Sequence, residues 1–105
     1  MLTKLTALKT TKLTKLSVLK ATKVCVLYFA KSSELSGLKE ELLQVATPIS
    51  GLDLWTLLLR QHPSLRALQG HVVLALRQEY VAIDQQLLTL RDGDEVAVLP
   101  PLSGG

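Results

Sequence analysis

The chain has 105 residues, 48% of them hydrophobic, one cysteine and a formal net charge of +3. That length holds one domain with a small core, the lone Cys25 excludes an intrachain disulfide, and no apolar run approaches the roughly 20 residues that cross a bilayer as a helix. The charge divides unevenly: Met1 to Lys23 carries six lysines and no acid, whereas Val24 to Gly105 carries six Lys/Arg and nine Asp/Glu, 6 − 9 = −3, so the globular part is mildly acidic and a nucleic-acid partner is not expected.

Residues 1–23 read as a Lys/Thr/Leu-rich extension in which "LTKLTALK" at Leu2–Lys9 returns as "LTKLSVLK" at Leu13–Lys20. Wound as a helix, the leucines share one arc, but Lys9 and Lys20 fall inside it and threonine lowers helix propensity. A disordered, low-complexity segment is expected. A mitochondrial targeting segment, unusual in lacking arginine, and a membrane-surface or polyanion-binding arm are the alternatives.

Residues 24–99 read as the folded domain. "VCVLYFA" from Val24 to Ala30 is β-branched and aromatic, a buried strand. "KSSELSGLKEE" is a polar connection with a short helical turn, and "LLQVA" a second strand closed by Thr47-Pro48. Ser50 followed by Asp53 is an acidic variant of the capping box and starts the main helix, with Leu54, Leu57 and Leu58 on one face. The helix ends near His62 because Pro63 disfavours helical geometry before it. "PSLRALQG" is a turn or small helix. "HVVLALRQEY" reads as one strand buried on both faces, "VAIDQQLLTL" as a turn and short strand, and "RDGDE" as a turn with Gly93 suited to positive φ. In "EVAVLP" Val96 and Val98 share one face, Ala97 and Leu99 the other. Strands on both sides of a single main helix make an α+β domain, a mixed sheet with the order of a ubiquitin-like β-grasp.

Residues 100–105 form an extended tail. Pro100 and Pro101 cannot donate to a sheet ladder and hold the chain open; Leu102 and Ser103 continue it. Gly104 and Gly105 lack a β-carbon, so nothing crowds the last carbonyl. Such a tail threads a narrow channel and presents the Gly105 carboxylate for activation as an acyl-adenylate, open to attack by sulfur or by an amine.

Other chemistry is sparse. His62 and His71 stand without a cysteine cluster, so no metal site is expected. Cys25 lies in an apolar strand with no basic neighbour in sequence and reads as a buried, inert thiol. Asp92, Asp94 and Glu95 are a solvated turn or a contact for a basic partner. The four aromatic residues are scattered and make no stacking platform for RNA.

"DGDEVAVLPPLSGG", together with "VLYFAKSSELSG", the "LW" helix, "RQHPSL" and "LALRQEYV", resembles the small, sulfur-carrier subunit of molybdopterin synthase of the eukaryotic type. The resemblance runs from about Val24 to Gly105 and leaves out the lysine-rich start. It implies that an ATP-dependent activating enzyme adenylates Gly105 and that a sulfurtransferase step makes it a thiocarboxylate. It further implies that Pro100, Pro101, Leu102, Ser103 and Gly104 enter the large subunit of a heterotetramer. There sulfur passes to cyclic pyranopterin monophosphate to build the molybdopterin dithiolene. Phe29 and Leu99 are expected in an apolar patch facing both partners, no cofactor is held by the chain itself, and no membrane partner is expected. A cytosolic location follows, or a mitochondrial one if the first 23 residues are a targeting segment. A protein modifier joined to a lysine, and a sulfur carrier for thiamine or tRNA thiolation, share the same chemistry and stay open.

Overall fold

Alternation along the first apolar strand sets the architecture. In the computed structural model, which describes residues 20–100, β1 spans Lys20–Tyr28. Thr22, Val24, Val26 and Tyr28 point inward and are buried, and Cys25 and Leu27 point to the other face, as a period of two requires. A short helix α1 (Lys31–Ser36) leads to β2 (Glu40–Thr47). Next come β3 (Ile49–Ser50), the main helix α2 (Gly51–Gln61) and a 3-10 helix (Pro63–Leu68). Strands β4 (Val73–Leu76), β5 (Glu79–Val81), β6 (Leu87–Leu88) and β7 (Glu95–Leu99) complete the domain.

Five strands form one sheet in the order β2-β1-β7-β4-β5, and β3 pairs with β6 apart from it. The sheet is mixed because β1 and β7 run parallel, Cys25 opposite Glu95 through Tyr28 opposite Val98, while the other pairings are antiparallel. Helix α2 starts where expected: the Ser50 hydroxyl accepts a hydrogen bond from the Asp53 N–H at 3.0 Å. It ends at His62, whose N–H donates to the Leu58 carbonyl at 2.9 Å, one residue before Pro63. Its buried face, Leu54, Trp55 and Leu58, packs with Val24, Val26, Leu74, Val96 and Val98 in one core, each full leucine burial contributing about 1.5–3 kcal/mol. This is the ubiquitin-like β-grasp.

The sequence reading needs correction in three places. Strand β1 begins at Lys20, not Val24: Lys20–Lys23 pair with Gln44–Thr47, so the end of the second repeat belongs to the sheet. The stretch His71–Tyr80 is a hairpin, not one strand. Arg77 and Gln78 turn it with φ of 51° and 69°, the primed turn that matches strand twist, in a pair that carries none of the usual glycine or asparagine. Strand β3, two residues long, was not foreseen. The extension ahead of Lys20 and the tail residues Pro101, Leu102, Ser103, Gly104 and Gly105 lie outside the described residues.

Candidate functional site

One face of the sheet carries the helix; the other is open. On the open face the outward residues of three central strands line a depression of about 390 Å³, with Leu27, Phe29, Ala75, Ala97 and Leu99 as its apolar wall and Tyr80 at its side. Phe29 is 44% exposed and Tyr80 61%, large apolar surfaces that folding leaves uncovered. Leu42, 66% exposed and directly opposite Cys25 on β2, extends the face toward the far edge. Phe29 and Leu99 line the same depression, and Phe29 is not a core residue. Leu27, Ala75, Ala97, Tyr80 and Leu42 were missed, although continuing the period-two alternation from Phe29 and Leu99 along their own strands reaches Leu27 and Ala97.

Strand β7, which leads into the tail, ends beside this face at Leu99. Leu99 pairs with Val73 on one side, and the last contact on the other side is the Phe29 N–H donating to the Val98 carbonyl at 3.2 Å. Exposed Pro100 follows and removes the next ladder donor. The root of the tail and the apolar patch thus share β7 and the end of β1.

Three polar residues singled out in the sequence, Asp92, Asp94 and His62, are bound within the fold. Asp92 accepts the Lys23 N–H at 2.9 Å. Asp94 accepts the Arg91 N–H at 2.8 Å and pairs with the Arg77 guanidinium, which also fastens the β4–β5 hairpin to the strand β7 turn. They hold the turn at Gly93, φ 89°. His62 does more than close α2: its Nε2 lies 2.5 Å from a Glu41 carboxylate oxygen that also accepts the Tyr28 hydroxyl at 2.5 Å. The Tyr28 and His62 rings meet edge to face at 5.5 Å. Burial, then the hydrogen bond to Glu41, raises the Tyr28 pKa well above the usual phenol range. His71 is exposed and precedes β4 by two residues.

Cys25 is half-buried on the open face, not fully buried. Desolvation, then the Glu40 and Glu95 carboxylates, raises its pKa, the opposite of what a nucleophilic thiol needs. Among the described residues no group of three or more His, Cys, Asp or Glu side chains is placed to hold a metal ion.

Comparison with known proteins bears on this geometry. Residues 26–105 match the model of the ThiS family. The human molybdopterin synthase sulfur carrier subunit is 47% identical over 79 residues, covering 75% of this chain and 90% of that one. Among solved structures, a molybdopterin converting factor subunit 1 of Pyrococcus furiosus superposes with a TM-score of 0.61 at 29% identity, over 78% of this chain and 100% of that one. The SAMP1 protein of Haloferax volcanii superposes at 0.63 with 25% identity, over 79% and 99%. With the open sheet face, the strand that feeds the tail and these likenesses together, the chain belongs to the ThiS family, among the molybdopterin synthase sulfur carrier subunits.

Proposed function

We propose that this chain is the sulfur-carrier subunit of molybdopterin synthase and that the Gly105 carboxylate is the group that carries the sulfur. An ATP-dependent activating enzyme adenylates that carboxylate, and a sulfurtransferase step turns it into a thiocarboxylate. The tail then enters the large subunit of the synthase and delivers sulfur to cyclic pyranopterin monophosphate. The chain acts as one subunit of a sulfurtransferase complex; ATP and the reacting pterin belong to the partners.

One observation carries the reading: the strand that leads into the tail lies in the middle of an uncovered apolar sheet face. A partner that covers Phe29, Ala97 and Leu99 has the root of the tail within the same footprint. Apolar, aromatic-bearing surface of this kind is what a stable interface buries at its centre. The match of the family model through Gly105 supports the same assignment.

The test is the intact mass of the chain after incubation with ATP, a eukaryotic-type activating enzyme and a sulfur donor. The expected result is a gain equal to exchanging one oxygen for sulfur, absent when Gly105 is deleted. A chain instead recovered joined to a lysine through its terminus assigns it to the protein modifiers. An unchanged mass rejects the carrier role.

A further inference from the structure

The root of the tail is held by a side chain that neither the tail nor the patch contains. Ser32 is 2% exposed, a small polar residue buried where α1 meets the sheet. Its hydroxyl oxygen accepts the Phe29 N–H at 2.9 Å. The same oxygen lies 2.8 Å from the Phe29 carbonyl and 3.1 Å from the Val98 carbonyl, so its one proton is shared between an acceptor just past the end of β1 and one on β7. The Ser32 N–H also donates to the Phe29 carbonyl at 3.1 Å. That bond closes a tight turn in which Ala30 takes φ 53° and ψ −126°, a backbone state that glycine normally supplies. Strained conformations of this sort persist where surrounding contacts over-determine them, and they concentrate at functional sites.

Two features of the site meet at this hydroxyl. Phe29 is the exposed aromatic ring of the patch, and its backbone N–H and C=O are both bound by Ser32. Val98 is the last inward residue of β7, two positions before Pro100. We infer that Ser32 is a positioning residue that fixes the root of the tail relative to the docking patch. A partner that grips the patch meets the tail at the same root, so the direction in which Val98, Leu99 and Pro100 leave the sheet sets where it meets it. This inference rests on the carrier function proposed above.

Removing the hydroxyl leaves two backbone bonds of Phe29, its N–H to the Val98 carbonyl and the Ser32 N–H to the Phe29 carbonyl, and takes away the additional tie between patch and tail. Steady-state adenylation of the full chain by the activating enzyme, with the chain as the varied substrate, separates the two. For Ser32→Ala the rate at saturating chain falls by about tenfold, short of the roughly 100-fold that a full 1 Å misplacement of a reacting group can cost, while KM changes by less than about twofold. Ser32→Thr, which keeps the hydroxyl, recovers most of the rate. Val24→Ala, a core truncation far from the root, lowers the melting temperature without lowering the saturated rate. Ser32→Cys leaves no cavity but puts a larger, weakly hydrogen-bonding sulfur in place of the hydroxyl, and replaces the alanine variant if that one unfolds. If the wild-type chain is not adenylated, the carrier function itself is wrong. If it is adenylated and Ser32→Ala keeps its saturated rate, or loses it only as Val24→Ala does, the positioning role is overturned.

Discussion

Replacing Gly51 by alanine sets two effects of opposite sign against each other. Gly51 is the first residue of α2, and alanine is the better helix former by up to about 1 kcal/mol. Propensity alone therefore predicts a more stable protein. The structure predicts the reverse. A β-carbon on Gly51 would lie 2.0 Å from the Ala82 carbonyl oxygen and 3.1 Å from its carbon. Both are backbone atoms and cannot rotate away. Helix and segment must part by roughly 1 Å to reach even a tight van der Waals approach. That movement stretches the Leu52 N–H to Asp84 carbonyl bond, now 3.0 Å, and pulls buried Leu54 and Trp55 off the core. Overpacking of this kind costs about 1–3 kcal/mol and a lost hydrogen bond about 1 kcal/mol. After the propensity gain, a net loss of about 2 kcal/mol remains. Trp55, the single tryptophan, is 3% exposed and reports unfolding by fluorescence. With a urea slope of about 1 kcal/mol per molar for a domain this small, the midpoint falls by about 2 M. A midpoint that stays put or rises would refute the contact and leave helix propensity as the governing term.

Three further outcomes are expected. Phe29→Ala weakens binding to the large subunit by about 30-fold, as loss of a central aromatic anchor does, yet leaves the urea midpoint nearly unchanged because the ring is already half exposed; equilibrium binding and denaturation on the same sample separate the two. Leu58→Ala lowers stability by about 2–5 kcal/mol, since Leu58 is fully buried in the core, and a smaller loss in denaturant titration would mean the core collapses to fill the gap. Tyr28 supplies a pH dependence: its folded pKa lies above the unfolded value of about 10, so its contribution is fully present below that pH and is lost as the pH rises toward the folded value. Unfolding free energies should therefore fall from about pH 10 upward, by at most about 1.4 kcal/mol per unit for this one proton, and Tyr28→Phe should flatten that fall; parallel curves for the two proteins would remove Tyr28 as the cause.

Much of the domain was legible because its signals are local. Ser50, Asp53 and Pro63 mark both ends of α2 by hydrogen bonding and backbone restriction that act within three residues. The alternation of Val96, Ala97, Val98 and Leu99 identifies the two faces of β7 without knowledge of its neighbours. The β4–β5 turn was hidden because Arg77 and Gln78 adopt positive φ without turn-forming side chains; the pairing that holds them there comes from Asp94, seventeen residues on. The start of β1 was hidden because Lys20–Lys23 continue a repeat whose composition suggests an extension, whereas β2, with Ala46 and Val45, recruits them by pairing. Ser32 could not be singled out either, since its role depends on Val98, 66 residues away. Local chemistry is readable in sequence, and chemistry made by long-range partners becomes visible only when the strands are in register.

The parallel run of β1 beside β7 gives the molecule a front and a rear. The two ends of the nine-residue strand, Lys20 and Tyr28, lie about 26 Å apart along extended chain, and β7 delivers Leu99 and Pro100 at the Tyr28 end. The chain ahead of Lys20 therefore joins at the rear, at the opposite end of the sheet from Pro100. A label, a surface tether or a fused protein attached at Lys20 would start from the opposite end of β1 to the one beside which β7 ends.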